Sequence, residues 1–286
     1  MSRKFVLAGK LDVQATEIAT GSRLLIDHKT TSQDIDDPSG PYWRVLQIDG
    51  QVNQYMLLEH LRGARVDYAL WDVVRKPTIS PRLLAKGDLT QVLASGVYCG
   101  RSLDSAELAE LATTGRETPL MYAERLAADC GNERPAWYFA RQRVPRLDQE
   151  LYEYAQEMWW HSQDMLEARR RQRWPKNPGA CFTYGTPCEY LGICAGSDTP
   201  DSDRWMRREW THPELPILQT TKDVLTNSRV RCFQTCRRKH FYRYEQGLVR
   251  SDEEQRESLF FGTLFHQALE QYFLAIKHYQ QKGTYL

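Results

Sequence analysis

The sequence contains no apolar run approaching the ~20 residues that cross a bilayer, and its first residues (MSRKFVLAGK) lack the apolar centre of a signal peptide. It also lacks a surplus of charge, because 38 basic residues face 37 acidic ones. These absences argue against a membrane protein and against a charged tail for nucleic acid, so any nucleic-acid surface must be local. We expect a cytoplasmic protein whose 41% apolar residues fill a core.

The seven cysteines include no C-x2-C pair, so the chain fits no common zinc finger. An odd number of cysteines in a reducing compartment also argues against a disulfide framework. Cys181, Cys188 and Cys194 nevertheless fall within 14 residues, in a loop bounded by prolines and glycines. This density favours zinc or an iron–sulfur cluster over ordinary buried cysteines, and Cys232 or Cys236 can supply the fourth thiol.

Hydrophobic periodicity predicts a mixed sheet with flanking helices, followed by a helical tail. Residues 1–196 form the core, 197–220 have the composition of a linker, and 221–286 are helical. The predicted strands are 5–7, 11–13, 23–26, 67–74 and, at a sheet edge, 136–144. The predicted helices are 51–61, 105–113, 119–129, 147–173, 228–244 and 261–280.

The residues best suited to chemistry lie in the first strands. Asp12 ends the sequence GKLD in one predicted strand, and Asp27 and Lys29 belong to the next. Because alternate residues of a strand share a face, Asp27 and Lys29 project together while His28 points away. An antiparallel neighbour can bring Asp12 beside them, where a hard cation such as Mg²⁺ stabilises both carboxylates. The alternative interpretation is an exposed strand of alternating charge.

These residues and the helix that follows resemble the PD-(D/E)XK nuclease superfamily and, within it, the RecB-like exonuclease branch. That branch has a G-x-x-D strand, a D-x-K-T strand and a helix with Gln and Tyr one turn apart. The chain offers Gly9–Asp12, Asp27–Thr30, and Gln51 with Tyr55, in that order. The resemblance implies a restriction-endonuclease-like α/β (α+β) fold, in which helices flank a mixed central sheet. It also implies that Gln51 and Tyr55 orient the lysine or the DNA backbone.

The resemblance further implies a catalytic metal, Mg²⁺ or Mn²⁺. Asp12 and Asp27 correspond to its ligands, and the backbone carbonyl of His28 faces the same ion. Lys29 corresponds to the residue that positions the attacking water. The reaction that the resemblance implies is hydrolysis of a phosphodiester bond.

The run from Cys232 to Tyr242 is similar to a basic and aromatic helix near the start of RecB-like nucleases. In AddB-type relatives, the cysteine of that helix joins three later ones around a [4Fe–4S] cluster. Alignment of the run makes Cys236 the better match, and zinc (Zn²⁺) is the alternative occupant of the same thiols. Two features depart from the family: Arg237 stands where proline is frequent, and the first loop spacing is longer than in relatives.

The segment from Leu259 to Glu270 looks like the family's F-G-T-x-x-H-x-x-L-E helix. The resemblance implies that His266 is a metal ligand, and Glu270, one turn further along, can support it. The competing interpretation is an ordinary core histidine on an apolar helix.

The order of these blocks departs from the family, in which the cysteine and histidine helices precede the D…D-x-K strands. Three explanations remain open: a circular permutation, a tandem domain cut short, and an artefact that joins two fragments. We favour permutation within one monomer, with 197–220 as the new connection. A tail that reaches a neighbouring copy makes a swapped dimer instead.

Two basic clusters form the candidate nucleic-acid surface: Arg169, Arg170 and Arg173, and then Arg237, Arg238 and Lys239. Aromatic residues stand beside both clusters, so phosphates can be bound while rings stack on single-stranded bases. The alternatives are a solvated helix surface and aromatics that pack into the core. Trp159 and Trp160 are expected to pack into the core rather than to form a stacking platform.

Together these features predict a metal-dependent DNA nuclease, and the resemblance implies an exonuclease that acts on DNA with single-stranded ends. The resemblance implies a role in DNA repair, recombination or phage DNA processing, with a helicase or recombination protein as a partner. The alternative function is a catalytically inactive DNA-binding module stabilised by iron–sulfur or zinc.

Overall fold

The chain folds as a mixed α/β protein in a computed structural model that describes residues 4–183, 185–213, 215–218, 220–251 and 257–281. Its helices and mixed sheets are consistent with the predicted restriction-endonuclease-like α+β fold. Within these residues, no helix combines the length and the apolar character needed to cross a bilayer.

The strands are β1 (Phe5–Leu7), β2 (Val13–Thr16), β3 (Arg23–Thr31), β4 (Tyr68–Arg75), β5 (Val97–Tyr98), β6 (Arg101–Ser102), β7 (Phe139–Val144), β8 (Phe182–Thr183), β9 (Thr186–Pro187), β10 (Trp205–Arg207), β11 (Asp223–Leu225) and β12 (Leu248–Arg250). The α-helices are α1 (Pro41–Leu46), α2 (Gly50–Leu61), α3 (Lys86–Ser95), α4 (Ser105–Thr114), α5 (Pro119–Ala128), α6 (Pro135–Tyr138), α7 (Asp148–Arg171), α8 (Leu191–Ala195), α9 (Asn227–Thr235), α10 (Arg237–His240) and α11 (Glu257–Gln281). Single π-helical turns cover Asp129–Glu133 and Phe241–Glu245.

The chain divides into two compact units. Unit 1 comprises the described residues of Met1–Asp27, Asp49–Ala69 and Val144–Leu286, and unit 2 comprises His28–Ile48 and Leu70–Arg143. In unit 1, α2 packs on α7. In unit 2, an apolar cluster joins the segments around α3, α4 and α5, and its buried members are Leu84, Val92, Tyr98, Leu103, Leu111 and Met121.

A four-stranded sheet of order β2-β3-β4-β7 contains the strands that the acidic residues flank or occupy. β2 and β3 are antiparallel, with Val13 opposite Ile26. Asp12 lies in a bend before β2, so the prediction that it belongs to a strand is wrong. The register still brings Asp12 opposite Asp27, because each is one residue beyond the Val13–Ile26 pair.

The C-terminal segment returns to the N-terminal strand within unit 1. β1 and β11 pair in parallel, with Phe5 opposite Asp223 and Leu7 opposite Leu225. Part of the segment predicted from composition to be a linker is structured, because β10 pairs with β12 and both His212 and Leu215 are buried.

The single helix predicted over 228–244 is interrupted at Cys236, whose extended backbone (φ −159°, ψ 112°) separates α9 from α10. A loop provides partners for backbone groups on both sides of the break. Asn177 donates to the Thr235 carbonyl at 2.8 Å, and the Arg238 N–H donates to the Pro175 carbonyl at 3.1 Å. These tertiary bonds offset the intrahelical bonds that the break removes.

The other predicted elements agree with the structure to within a few residues, since α2, β4, α4, α5, α7 and α11 all form. One further prediction needs correction. The strand predicted over 136–144 begins as α6 and becomes β7 only at Phe139, although it does lie at a sheet edge.

Candidate active site and cysteine cavity

Asp27 is a buried carboxylate in β3, with 5% of the residue exposed. Gln51 Nε2 lies 3.5 Å from Asp27 Oδ1 and donates to the Tyr55 hydroxyl at 2.7 Å. The one-turn spacing of Gln51 and Tyr55 puts both on one face of α2. Asp49 caps this helix by accepting the Gln51 N–H at 2.7 Å, so the first turn of α2 is fixed beside Asp27.

The pKa of the Tyr55 hydroxyl is raised by its surroundings. Burial is the main cause that raises the pKa of Tyr55 far above its ordinary value, and the hydrogen bond from Gln51 opposes this rise. The charges of Asp27 and Asp12 raise the pKa further. The Tyr55 hydroxyl therefore keeps its proton wherever the two carboxylates are ionised.

The bend that leads into β2 fits closely against α2. A Cβ at Gly9 would lie 2.8 Å from Tyr55 Cε1, which explains why glycine occupies this position. Fully buried Gln54 donates to the Ala8 carbonyl at 2.6 Å and accepts from the Tyr154 hydroxyl at 2.9 Å. Sequence reasoning missed Gln54 and Tyr154, because a buried polar pair between two helices has no local motif.

His266 reaches the same site from α11, near the other end of the chain. Its Nδ1 lies 3.7 Å from Asp12 Oδ2, and the side chains of His266 and Asp12 are 42% and 21% exposed. This distance is too long for a direct hydrogen bond but within the range of an ion pair. Asp12 is therefore flanked by Asp27 in the strand register and by His266.

Lys29 follows Asp27 by two residues on β3 and so shares its face of the strand. It is half-buried, and its ammonium group lies 5.4 Å from the centre of the Trp71 ring. This cation–π contact restricts the long Lys29 side chain, and the sequence analysis did not identify Trp71 as its partner. Trp71 gave no signal in the sequence, because its position relative to Lys29 depends on β4.

The His28 side chain is engaged in unit 2, where its Nδ1 lies 2.8 Å from Asp72 Oδ2. Arg141 Nε donates to Asp72 Oδ1 at 2.6 Å. Burial acts to raise the pKa of Asp72, but the hydrogen bonds from His28 and Arg141 outweigh it and the pKa is lowered. Only the backbone carbonyl of His28 therefore remains for the predicted metal role.

The three loop cysteines, Cys181, Cys188 and Cys194, line one small cavity of unit 1 together with Cys236. Lys176 and Lys239 also line it. All seven cysteines of the chain are free thiols. A set of four thiols with two ammonium groups beside them suits a negatively charged thiolate cluster.

The fourth thiol at this cavity is Cys236, whereas Cys232 lies one turn earlier in α9. Burial raises the pKa of Cys188 and of Cys194, and it raises that of Cys232 to about 11. Ligation of a metal by Cys188 and Cys194 therefore requires that both thiols lose their protons.

Both sites gather donors without forming a closed metal cage. Across the described ranges, no three His, Cys, Asp or Glu side chains are arranged closely enough to hold a metal ion. The donor chemistry still fits the predicted groups: carboxylates and imidazole suit Mg²⁺ or Mn²⁺, and four thiols suit iron–sulfur or zinc. Binding at either site requires the side chains to draw together.

The two predicted basic clusters differ in their contacts. Arg169 donates to Glu245 at 2.6 Å and pairs with Asp223, so it ties α7 to β11 and the second π turn. Arg170 and Lys239 have acidic partners of their own at 2.5 and 3.5 Å. The remaining three members line one groove, and they are Arg173, Arg237 and Arg238.

The neighbouring aromatics also divide into two groups. One group is buried, as expected if these aromatics pack into the core instead of stacking on bases; its members are Trp174, Tyr242 and Tyr244. Trp159 and Trp160 are 48% and 61% exposed, so the prediction that they pack into the core is wrong. Helices α2 and α9 contact α7, and these two residues remain exposed.

Comparison with known proteins gives one family match. A model of the PD-(D/E)XK nuclease superfamily matches residues 224–285, from β11 through α11. The match contains Cys236 and His266 and does not extend to Asp12, Asp27 or Lys29. No curated protein and no solved structure matches the chain. Members of this superfamily are generally nucleases that act on DNA and typically use Mg²⁺ or Mn²⁺.

Proposed function

We propose that the protein is a metal-dependent DNA nuclease whose reaction centre comprises Asp12, Asp27, Lys29 and His266. One observation carries the proposal: His266, inside the segment that matches a nuclease family, lies 3.7 Å from Asp12, outside that segment. The family match covers His266 but not the D…D-x-K motif, so the contact joins two segments that were identified separately. Two separate lines of evidence therefore converge on one place.

Asp12, Asp27 and His266 would hold the metal, which supplies positive charge to the scissile phosphate and lowers the pKa of bound water. Lys29 orients the attacking water and stabilises charge that develops on the phosphate. Gln51 holds Asp27 through its amide, and protonated Tyr55 holds Gln51. Water loses a proton to solvent as it attacks phosphorus in line, the bond to the leaving oxygen breaks, and that oxygen takes up a proton from solvent.

The test is cleavage of linear and circular DNA, single- and double-stranded, with Mg²⁺ or Mn²⁺. Asp27→Asn and Lys29→Met should abolish cleavage, whereas the exposed controls Asp34→Asn and Lys86→Met should not. Degradation of linear DNA with sparing of circles would support an exonuclease acting at DNA ends, as in repair, recombination or phage DNA processing. If wild type is inert on every substrate with both metals, the enzyme proposal fails.

The cysteine cavity belongs to the proposal as a stabilising [4Fe–4S] site, with zinc as the alternative occupant. It is supported by the shared lining of the cavity by Cys181, Cys188, Cys194 and Cys236. Protein purified without oxygen should contain iron and sulfide, and Cys236→Ser should lose both. The matched variant Cys232→Ser should keep them. Colourless protein with stoichiometric zinc would contradict the iron–sulfur assignment.

We also infer that the unusual motif order is a permutation within one molecule. Pairing of β11 with β1 and the Arg169–Asp223 ion pair support this, because both join the tail to the core of the same chain. Light scattering should therefore give the mass of a monomer. Twice that mass would favour exchange of the tail between two copies.

A further inference from the structure

A wide groove in unit 1 plays no part in the proposed reaction. It has a volume of about 780 Å³ and lies between the end of α7 and the start of α10. Four arginines contribute to its wall, and they are Arg171, Arg173, Arg237 and Arg238. Glu167 is the one acidic residue in the described part of the lining, so the four arginines give the groove a surplus of positive charge.

Three of the groove arginines have weak partners or no partner among the described residues, whereas Arg238 Nε already donates to the Trp174 backbone carbonyl at 2.7 Å. Arg171 pairs with Glu167, and Arg237 lies 3.7 Å from Asp164, but these are surface ion pairs. Surface pairs are typically worth only ~0–1 kcal/mol, so a phosphate can replace either acid. Within the described ranges, the Arg173 side chain has neither an ion-pair nor a hydrogen-bond partner.

A buried polar group at the same groove points to a ligand. Trp174 lines the groove and is 6% exposed, and its ring stacks on His240 and Phe241. Its indole N–H has no hydrogen-bond partner among the described residues. A buried donor without an acceptor costs ~1–3 kcal/mol, and an anionic oxygen in the groove can supply the acceptor.

An exposed aromatic ring lies on the same stripe of α7 as the groove. Trp160, Asp164, Glu167 and Arg171 are spaced by four, three and four positions, so they share one helical face. The stripe from Trp160 to Arg171 is ~16 Å long at 1.5 Å per residue. Trp159, also exposed, projects ~100° away around the helix.

We propose that this stripe and groove bind a segment of single-stranded DNA, with a base stacked on Trp160 and phosphates on the groove arginines. The inference rests on the proposed function, because it supplies the path of the substrate strand outside the reaction centre. An exposed tryptophan in line with a basic groove suits unpaired bases, since the bases of a duplex stack on each other instead.

The test is binding of a fluorescent oligothymidylate, followed by anisotropy in EDTA so that no cleavage occurs. Trp160→Ala should weaken binding roughly tenfold or more, as loss of one stacking contact requires. The matched control Trp159→Ala removes the same ring from the next position and should stay within about twofold. Arg173→Gln should lower the slope of log K against log salt concentration by ~0.7.

Equal affinity of the Trp160→Ala and Trp159→Ala proteins would overturn the proposal, and so would displacement of the oligonucleotide by polyglutamate at equal charge. Thermal unfolding of each variant shows whether it is folded. Failure of the groove is distinguishable from failure of the nuclease. If the groove alone is wrong, Mg²⁺-dependent cleavage persists while Trp160→Ala binds normally; if the nuclease alone is wrong, binding follows these predictions without cleavage.

Discussion

Two buried carboxylates, Glu117 in unit 2 and Asp27 in unit 1, have contrasting surroundings. Glu117 accepts Arg125 Nε at 2.6 Å and the Tyr98 hydroxyl at 2.5 Å. Burial acts to raise the pKa of Glu117, but the hydrogen bonds from Arg125 and Tyr98 outweigh it and lower the pKa to about 2. The guanidinium compensates the buried charge inside the protein.

Asp27 is buried to the same degree but faces the neutral amide of Gln51 and, in the strand register, the carboxylate of Asp12. Carboxylates on opposite positions of two paired strands are the oxygen ligands that a divalent cation prefers. The contrast distinguishes a buried acid that stabilises the fold from one that is suited to bind a ligand. A carboxylate beside arginine stabilises the fold, whereas one beside a second carboxylate suits a cation from solution.

The largest expected effect comes from Asp27→Asn. Cleavage should fall by at least ~10³-fold, because the substitution removes a charge that the reaction uses. Stability should stay equal or rise, since repulsion between Asp27 and Asp12 disappears. Cleavage rates and urea unfolding measure the two effects. A loss of stability as large as that of Glu117→Gln would erase the contrast.

Glu117→Gln should do the opposite. Breaking a buried ion pair leaves Arg125 without its counter-charge and costs ~3 kcal/mol of unfolding free energy. Cleavage by the folded fraction should not change. The control is Glu110→Gln, an exposed acid of α4 that should shift stability by no more than ~0.5 kcal/mol. Urea denaturation of the three proteins compares them directly.

The pH dependence sharpens the same contrast. The folded-state pKa of Glu117, about 2, lies below its ordinary value of 4.5, so its contribution is complete above pH 4.5 and is lost as pH falls towards 2. The difference in unfolding free energy between wild type and Glu117→Gln should therefore shrink over this interval. A difference that stays constant with pH would contradict the role given to the ionised carboxylate.

Much of this fold follows from local sequence patterns, and the features that those patterns did not predict have physical causes. The D-x-K strand and helix α2 rest on short-range spacing, whereas the preference for Cys236 over Cys232 rests on alignment with the family's helix. The bend at Asp12 and the break at Cys236 depend instead on tertiary hydrogen bonds, which a periodic pattern does not contain. The exposure of Trp160 likewise depends on which faces of α7 other helices cover.

A smaller effect tests how Tyr55 is held. Gly9→Ala places a methyl group 2.8 Å from Tyr55 Cε1, so the ring or the bend must shift. Cleavage should fall roughly tenfold, at a cost of ~1–3 kcal/mol in stability. Gly87→Ala in α3 meets open space and should be neutral or slightly stabilising. If Gly9→Ala cleaves like wild type, Tyr55 does not need its observed position.

The most direct test of the central claim is calorimetric binding of Mn²⁺ to wild type, Asp27→Asn and His266→Ala in the absence of DNA. The structure predicts one site in wild type, loss of that site in Asp27→Asn, and at least about tenfold weaker binding in His266→Ala. Equal Mn²⁺ affinity in all three proteins would contradict a reaction centre built from Asp12, Asp27 and His266.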